Sequence, residues 1–339
     1  MSHDHCPLYW WLMKALLCTK YGPASGLEFR DIPEPQIADD QVLIEVSHCG
    51  LNFPDTLTIK GEDQYGLPMP FSPGGEYSGV ISEVGTNIDH VKVGDRVLVG
   101  TIWGGLREKA VAPGYNLHKL PDGMSFEIAS VFLVTYGTAY HCLVDRAQLR
   151  FGETVAVLGA AGGIGLATIQ VAKALGARVI ACASTDEKLE VCRKSGADEV
   201  INYSNEDLKL RLKELTGGKG ADVVCDPVGS DYSEAALRAT AWNGRFMVLG
   251  FTAGQIARIP LNLPLLKGNS ISGVFWSTFV RKEPELNRKN INSLFTMWIE
   301  GKIAPVVYKT YSFNDAKIAF DDIQERRVMG KVSINVWSP

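Results

Sequence analysis

The chain has 339 residues, 46% of them apolar and 21% charged, and its 34 basic against 38 acidic side chains give a formal net charge of -4. This is ordinary globular composition, long enough for two domains with a core each. The mild acidity excludes a broad cationic surface for a nucleic-acid backbone or an anionic bilayer, and no run of about 18 apolar residues offers a membrane-spanning helix.

Residues 1–12 read as an N-terminal extension. Leu8 to Met13 is apolar like the centre of a signal peptide, but Lys14 interrupts it, Ser2 to His5 lacks basic charge, and no small-residue cleavage site follows. A first strand is predicted from Met13. From there to residue 133, short apolar runs are cut by Gly, Pro, Asn and Asp. Strands are predicted at Val42–Val46, Tyr77–Val84 and Arg96–Val99, with turns at Val93–Arg96 and Pro121–Gly123, so 13–133 is read as a β-rich domain.

Between 134 and 301 the pattern changes to apolar strands alternating with helical periods. Strands fall at Thr154–Leu158, Arg178–Ala181, Glu199–Ile201, Asp222–Cys225 and Arg245–Leu249. Helices fall at Gly165–Leu175, Glu187–Ser195, Glu206–Leu215, Tyr232–Thr240 and Lys289–Glu300. Repeated βαβ units predict an α/β domain, a doubly wound parallel sheet with helices on both faces. The tail, 302–339, carries a strand near Val306–Tyr311, a helix near Asn314–Arg326 and a strand at Lys331–Val336, and is predicted to complete the first domain. Seven scattered cysteines form no C-x-x-C pair and read as reduced thiols of a cytoplasmic protein.

The sharpest motif is Gly159-Ala160-Ala161-Gly162-Gly163-Ile164-Gly165, between a strand and a helix. The amides that open a helix, together with its dipole, suit a pyrophosphate. Gly162 would let backbone approach that group, and Gly165 would let helix and strand pack closely. Ala160 stands where the fingerprint has its first glycine. After the next strand, a dinucleotide without a 2′-phosphate needs a carboxylate for its ribose. This chain has Ala183-Ser184-Thr185 there, with Asp186 and Glu187 arriving only as the helix begins. A 2′-phosphate is not repelled at that place, and Ser184 and Lys188 can donate to it, so the cofactor is read as NADPH. Asp186 is read as the N-cap of the helix.

From Met13 to Val336 the chain resembles the medium-chain dehydrogenase/reductase superfamily. The resemblance is carried by Cys49-Gly-Leu-Asn-Phe-Pro-Asp55, Pro73-Gly-Gly-Glu-Tyr-Ser-Gly79, Val93-Gly-Asp-Arg-Val97, the glycine loop, Gly220-Ala-Asp-Val-Val224 with Asp226-Pro-Val-Gly229, and Gly330-Lys331. It implies a Rossmann domain plus a GroES-like β-rich domain. The zinc-dependent members place a ligand cysteine and a ligand histidine where this chain has Asn52 and Gly75, and the four-cysteine structural-zinc cluster is missing, so no metal is expected. Without a Lewis acid, simple alcohol oxidation loses its main transition-state stabilisation, which points to an electron-poor substrate.

The zinc-free branch that the chain looks like is the NADPH:quinone oxidoreductase family. The resemblance implies that Asn52 and Thr138 approach the nicotinamide half, and that Ser184, Lys188 and Tyr203 surround the 2′-phosphate. Thr135, Arg326 and Lys331 are further hallmarks of the branch, and a homodimer is implied through the strand near Ile271–Phe275. Gly250 and Phe275 complete the candidate cofactor residues, beside Ala160, Ala161, Gly162, Gly163, Ile164 and Gly165. The expected reaction is hydride transfer from NADPH to a quinone or α,β-unsaturated carbonyl, with Asn52, Tyr65 or a backbone amide stabilising the charge that grows on oxygen. His48, His118 and His141 are read as packing or surface residues. The alternatives are an enoyl-thioester reductase and, outside enzymes, a non-catalytic NADPH-binding protein of the crystallin-like or nucleic-acid-associated kind.

Overall fold

The computed structural model describes residues 12–337, so the extension reading for 1–11 lies outside the described residues. The chain divides into two compact units. One holds Met1–Ser130 (described from residue 12), Thr310–Arg326 and Ser333–Pro339 (described to 337); the other holds Val131–Lys309 and Arg327–Val332.

In the first unit β1 (Leu12–Leu17) pairs antiparallel with β2 (Glu28–Pro33), Leu12 opposite Pro33. Leu12, expected outside the fold, is therefore its first paired residue. The spine is β3 (Gln41–Leu51), whose Val42, Ile44 and Val46 are fully buried. It runs straight into α1 (Phe53–Thr58). Then come β4 (Glu76–Val84), β5 (Arg96–Gly100), β6 (Lys109–Pro113), β7 (Leu117–Lys119) and α2 (Phe126–Ala129).

The second unit opens with α3 (Leu133–Tyr140), which relaxes into a π-helical turn over His141–Arg146. There follow β8 (Thr154–Leu158), α4 (Gly163–Ala174), β9 (Arg178–Ala183), α5 (Asp186–Lys194), β10 (Glu199–Asn202), α6 (Leu208–Leu215), β11 (Ala221–Asp226), α7 (Asp231–Arg238) and β12 (Thr240–Val248). The unit continues with α8 (Asn262–Lys267), β13 (Ser270–Gly273), α9 (Trp276–Lys282) and α10 (Pro284–Ile299). The sheet order is β10-β9-β8-β11-β12-β13, with every pair parallel. The chain winds outward from β8 to β10 and returns to lay β11 on the other side of β8, which makes the gap between β8 and β11 the topological switch point. Val155, Ala156, Val157 and Leu158 are all buried, as a strand covered on both faces requires.

Thr240, expected to end a helix, begins β12 opposite Ala221. The strand tolerates a shift of register there because Asn243 adopts a left-handed φ of 56° and Gly244 leaves room beside Thr240. In the tail β14 (Val307–Ser312), α11 (Ala316–Gln324) and β15 (Lys331–Asn335) complete the seven-stranded sheet, in the order β14-β15-β3-β4-β5-β7 with β6 on β3.

The observed division differs from the expected one, which ran 13–133, 134–301 and 302–339. It falls at 130/131, and Arg327–Val332 goes with the second unit. The reason is local, because the Gly330 amide donates to the Ala161 carbonyl at 2.8 Å and the Lys331 amide to Val306 at 2.9 Å. Among the described residues no helix is long and apolar enough to cross a membrane.

Candidate active site

The glycine loop starts where β8 ends. Gly159 has a left-handed φ of 55°, and a Cβ there would stand 2.8 Å from Val228. Two loop amides are consumed internally: Ala160 donates to the Cys182 carbonyl at 3.1 Å and Gly162 to the Gly159 carbonyl at 3.0 Å. What remains for a ligand is the start of α4, where Gly163, Ile164 and Gly165 have no intrahelical acceptor. A Cβ on Gly165 would lie 2.5 Å from the Ala160 carbonyl oxygen, so the helix can rest on the loop only without a side chain there. Gly162 differs, since its Cβ would meet nothing closer than the Gly159 oxygen at 3.4 Å. The loop therefore keeps an open recess over Gly162 that any side chain would begin to fill, as a backbone-to-pyrophosphate approach requires.

Several nominated residues converge on this loop. The Lys331 Cδ and the Thr135 Cγ2 would lie 2.8 and 3.1 Å from a Cβ on Gly163, so both side chains pack over it. The Thr135 hydroxyl donates to the Val131 carbonyl at 3.1 Å, and Lys331 is 6% exposed. Thr138, one turn further along α3, is buried too. Beside it Trp276 covers Gly137. His141 is held at 2.7 Å by Asp145 and stacked on Phe279, while Asn290 donates to the same Asp145 oxygen.

At the carboxyl ends of β9 and β10, Thr185 rather than Asp186 caps α5, its hydroxyl accepting from the Lys188 amide at 3.3 Å. Thr185 keeps extended backbone, whereas Asp186 is already helical and turns its carboxylate to Asn202, whose amide donates to it at 2.8 Å. Ser184 accepts at its carbonyl from Ser204. Tyr203 donates its amide to Ala183 at 3.1 Å and lays its ring on Tyr232. Ser184 and Tyr203 thus lie at the adjoining ends of β9 and β10, Lys188 in the first turn of α5, and the Asp186 carboxylate beside them is engaged by Asn202. Gly250 follows β12, and Phe275, 52% exposed, stands at the N-cap of α9 beyond β13.

In the first unit Asn52 is the N-cap of α1, followed by Pro54 in the first helical turn. Its backbone amide donates to Asp55 Oδ2 at 2.7 Å, and the Gly75 amide donates to Asp55 Oδ1 at 3.2 Å. Its side-chain Nδ2 donates to Glu76 Oε2 at 2.9 Å. Asp55 is 5% exposed and Glu76 0%. Gly75 admits no side chain without movement, because a Cβ would lie 2.7 Å from the Thr101 carbonyl oxygen. Among the described residues no group of three or more His, Cys, Asp and Glu could hold a metal ion. Tyr65 lies in the loop after α1, half-buried, its amide on Asp63 at 3.0 Å. Arg326 is an exposed residue at a left-handed φ of 59° just past α11, in the first unit.

Two family models match the chain: the alcohol dehydrogenase GroES-like domain over residues 38–122 and the zinc-binding dehydrogenase over 163–290. The quinone oxidoreductase-like protein 2 homolog of Nematostella vectensis is 37% identical over 325 residues, 95% of this chain and 88% of that one. The chain belongs to the quinone oxidoreductase family of medium-chain dehydrogenases/reductases. Among solved structures, the quinone oxidoreductase of Pseudomonas syringae matches with a TM-score of 0.89 at 31% identity, covering 95% of this chain and 99% of that one. The Escherichia coli quinone oxidoreductase complexed with NADPH matches with a TM-score of 0.85 at 29% identity, covering 96% and 99%.

As a member of this family the chain is an oxidoreductase, with a GroES-like first unit and a Rossmann-type second unit. Sequence reasoning gave no role to two residues of the Asn52 corner, and none to Gly330 beyond its place in the Gly330-Lys331 motif. Asp55 was legible in principle, since Asn52-x-x-Asp55 with a proline between is a helix-start signature. Glu76 stands in the Pro73–Gly79 motif as an acid at the head of a buried strand, and the left-handed φ of 97° at Gly330 is what the Gly330-Lys331 motif requires a glycine for.

Proposed function

We propose that this oxidoreductase binds NADPH on the loop between β8 and α4 and reduces a quinone or an α,β-unsaturated carbonyl without a metal. The observation that carries the reading is the Asn52 corner, which offers an amide and crowded glycine backbone where a zinc enzyme needs thiolate and imidazole. The residues fit the cofactor: the recess over Gly162 is open, the first amides of α4 lack intrahelical acceptors, and Ser184 and Lys188 stand where Asp186 is turned onto Asn202. The relation to an Escherichia coli enzyme solved with NADPH supports the same assignment.

Bound NADPH would supply the hydride. The α4 amides hold its pyrophosphate, Ser184, Lys188 and Tyr203 its 2′-phosphate, and Asn52 and Thr138 serve the nicotinamide half, with Thr135, Gly250, Phe275, Arg326 and Lys331 as further cofactor residues. Asn52, with Tyr65 as the second candidate, donates to the substrate oxygen as negative charge develops there. The protein acts as a cytoplasmic homodimer. The six described cysteines form no disulfide. β13 is a sheet edge with Ile271 39% exposed, a surface that a second copy can extend.

The test is NADPH consumption against ortho-quinones, para-quinones, 2-alkenals and crotonyl-CoA, each with and without a chelator. Turnover of a quinone or alkenal, unchanged by chelation, is the expected result. Loss of activity with the chelator refutes the metal-free reading, and turnover confined to crotonyl-CoA replaces the substrate class with enoyl thioesters. Light scattering checks the dimer.

A further inference from the structure

An asparagine side chain is nearly symmetric in shape, so its partners alone decide which end is donor and which acceptor. At Asn52 one partner is decisive. Glu76 Oε2 receives Nδ2 at 2.9 Å, and an ionised carboxylate accepts only, so it admits the NH2 end and rejects the carbonyl end. Glu76 cannot swing away to water, because it is fully buried. It is the first residue of β4, paired with Gly50 on one side and Gly100 on the other. The backbone of Asn52 is fixed separately, by Asp55, which also takes the Gly75 amide. One buried carboxylate holds the backbone of the residue, and the other takes the NH2 end of its amide, in the same sense as the capping-box contact from the Asp55 amide to the Asn52 side chain. A carboxylate buried at the head of a strand is costly to desolvate, and an apolar residue would pack there at less cost. That cost is understandable where the orientation of the amide matters to the reaction.

We propose that Glu76 is a positioning residue for reduction: it locks the Asn52 amide with its NH2 end on the carboxylate and so fixes the polarity that Asn52 offers to nicotinamide and substrate. This rests on the functional reading given above for Asn52. Glu76→Gln preserves size but can meet Asn52 with either end, so position 76 no longer imposes one amide sense and only the capping-box contact from the α1 backbone still favours it.

The test combines kinetics with a readout that needs no cofactor. In Glu76→Gln, kcat with the best quinone is expected to fall about tenfold or more while KM for NADPH stays within about twofold, and adding Glu76→Gln to Asn52→Ala should change kcat by less than about twofold. An equal loss in the presence and absence of Asn52 overturns the proposal. In cofactor-free protein labelled with 15N-asparagine, the Asn52 side-chain pair, identified by its loss in Asn52→Ala, should show one proton displaced by the carboxylate. If Glu76→Gln does not fold, this wild-type signal decides: a pair with the shifts of a hydrated amide overturns the proposal. Failure of wild type to consume NADPH with any acceptor would instead strike the functional reading, and the spectrum would still report on the Glu76–Asn52 bond.

Discussion

At the loop after β8, what matters is where side chains are missing. Gly165 lets α4 touch the Ala160 carbonyl, Gly163 lets Lys331 and Thr135 fold over the chain, and Gly162 keeps a recess open. At the corner before α1, what matters is which side chains are present, since two buried carboxylates grip one asparagine by its amide nitrogen and its side chain. The first is a shape made of backbone and neutral dipoles. The second is a charged network that fails if one member is lost. Substitutions should therefore fail differently: at the loop by sterics, with each glycine separable, and at the corner by leaving a partner stranded.

The largest expected effect is at Gly165. Gly165→Ala places a Cβ 2.5 Å from backbone that cannot yield, and should cost about 3 kcal/mol or more. Gly162→Ala, at an ordinary φ of -77°, should leave the melting temperature within about 2 °C yet weaken NADPH binding about tenfold or more. Calorimetry and cofactor titration on both variants check this. Equal loss of stability in the two would break the distinction between a packing glycine and a binding glycine. Next comes Asp55→Ala, which removes the acceptor for both the Asn52 and Gly75 amides. A cost of about 2 kcal/mol in urea unfolding is expected, with kcat falling more than NADPH affinity. Unchanged stability would show that the network is ornamental.

The loop was legible in the sequence because its logic is local: strand, small residues and helix are contiguous, and four of the five strands of the alternating pattern were found within two residues of their observed bounds, while β12 begins five residues before the expected Arg245. The Asn52 corner was half legible. Its cap and its bare Gly75 are readable from Asn52-Phe-Pro-Asp55 and Pro73-Gly-Gly, but the bond to Glu76 joins residues 24 positions apart through the pairing of β3 with β4. No period or composition encodes such a contact. The cap of α5 was misplaced by one residue, from Thr185 to Asp186, because both residue types cap helices and only the backbone conformation separates them.

A smaller effect separates the two ends of the cofactor corner. Lys188→Ala leaves the Thr185 cap intact, since that bond uses the Lys188 backbone amide. It should weaken NADPH about tenfold, roughly 1.4 kcal/mol, with little change for NADH. Equal losses for both cofactors would mean that Lys188 does not read the 2′-phosphate.

The smallest effect sharpens the comparison from the far end of the strands. Glu153, just before β8, takes the guanidinium of Arg245 from β12, which also donates to the Ala147 carbonyl at 2.9 Å. Burial alone would raise the Glu153 carboxyl, but the hydrogen bonds from Arg245 and the Arg150 amide outweigh it and hold the group below its ordinary 4.5. A carboxyl depressed in the folded state lends stability at pH values above its unfolded pKa and loses it as the pH falls through the folded one. With side chains 20% and 16% exposed, the pair lies between the surface and buried extremes, so Glu153→Gln should cost about 1 kcal/mol at pH 7. That difference should shrink toward zero below about pH 4. Because the pair sits at the amino ends of the strands and the glycine loop at the carboxyl ends, NADPH affinity at pH 7 should stay within about twofold. Denaturant unfolding of both proteins from pH 7 to 3, with cofactor titration at pH 7, measures this. A stability gap that does not vary with pH would mean that the pair acts by packing rather than by charge, and a weakened cofactor site would mean that the sheet transmits strain from one end of its strands to the other.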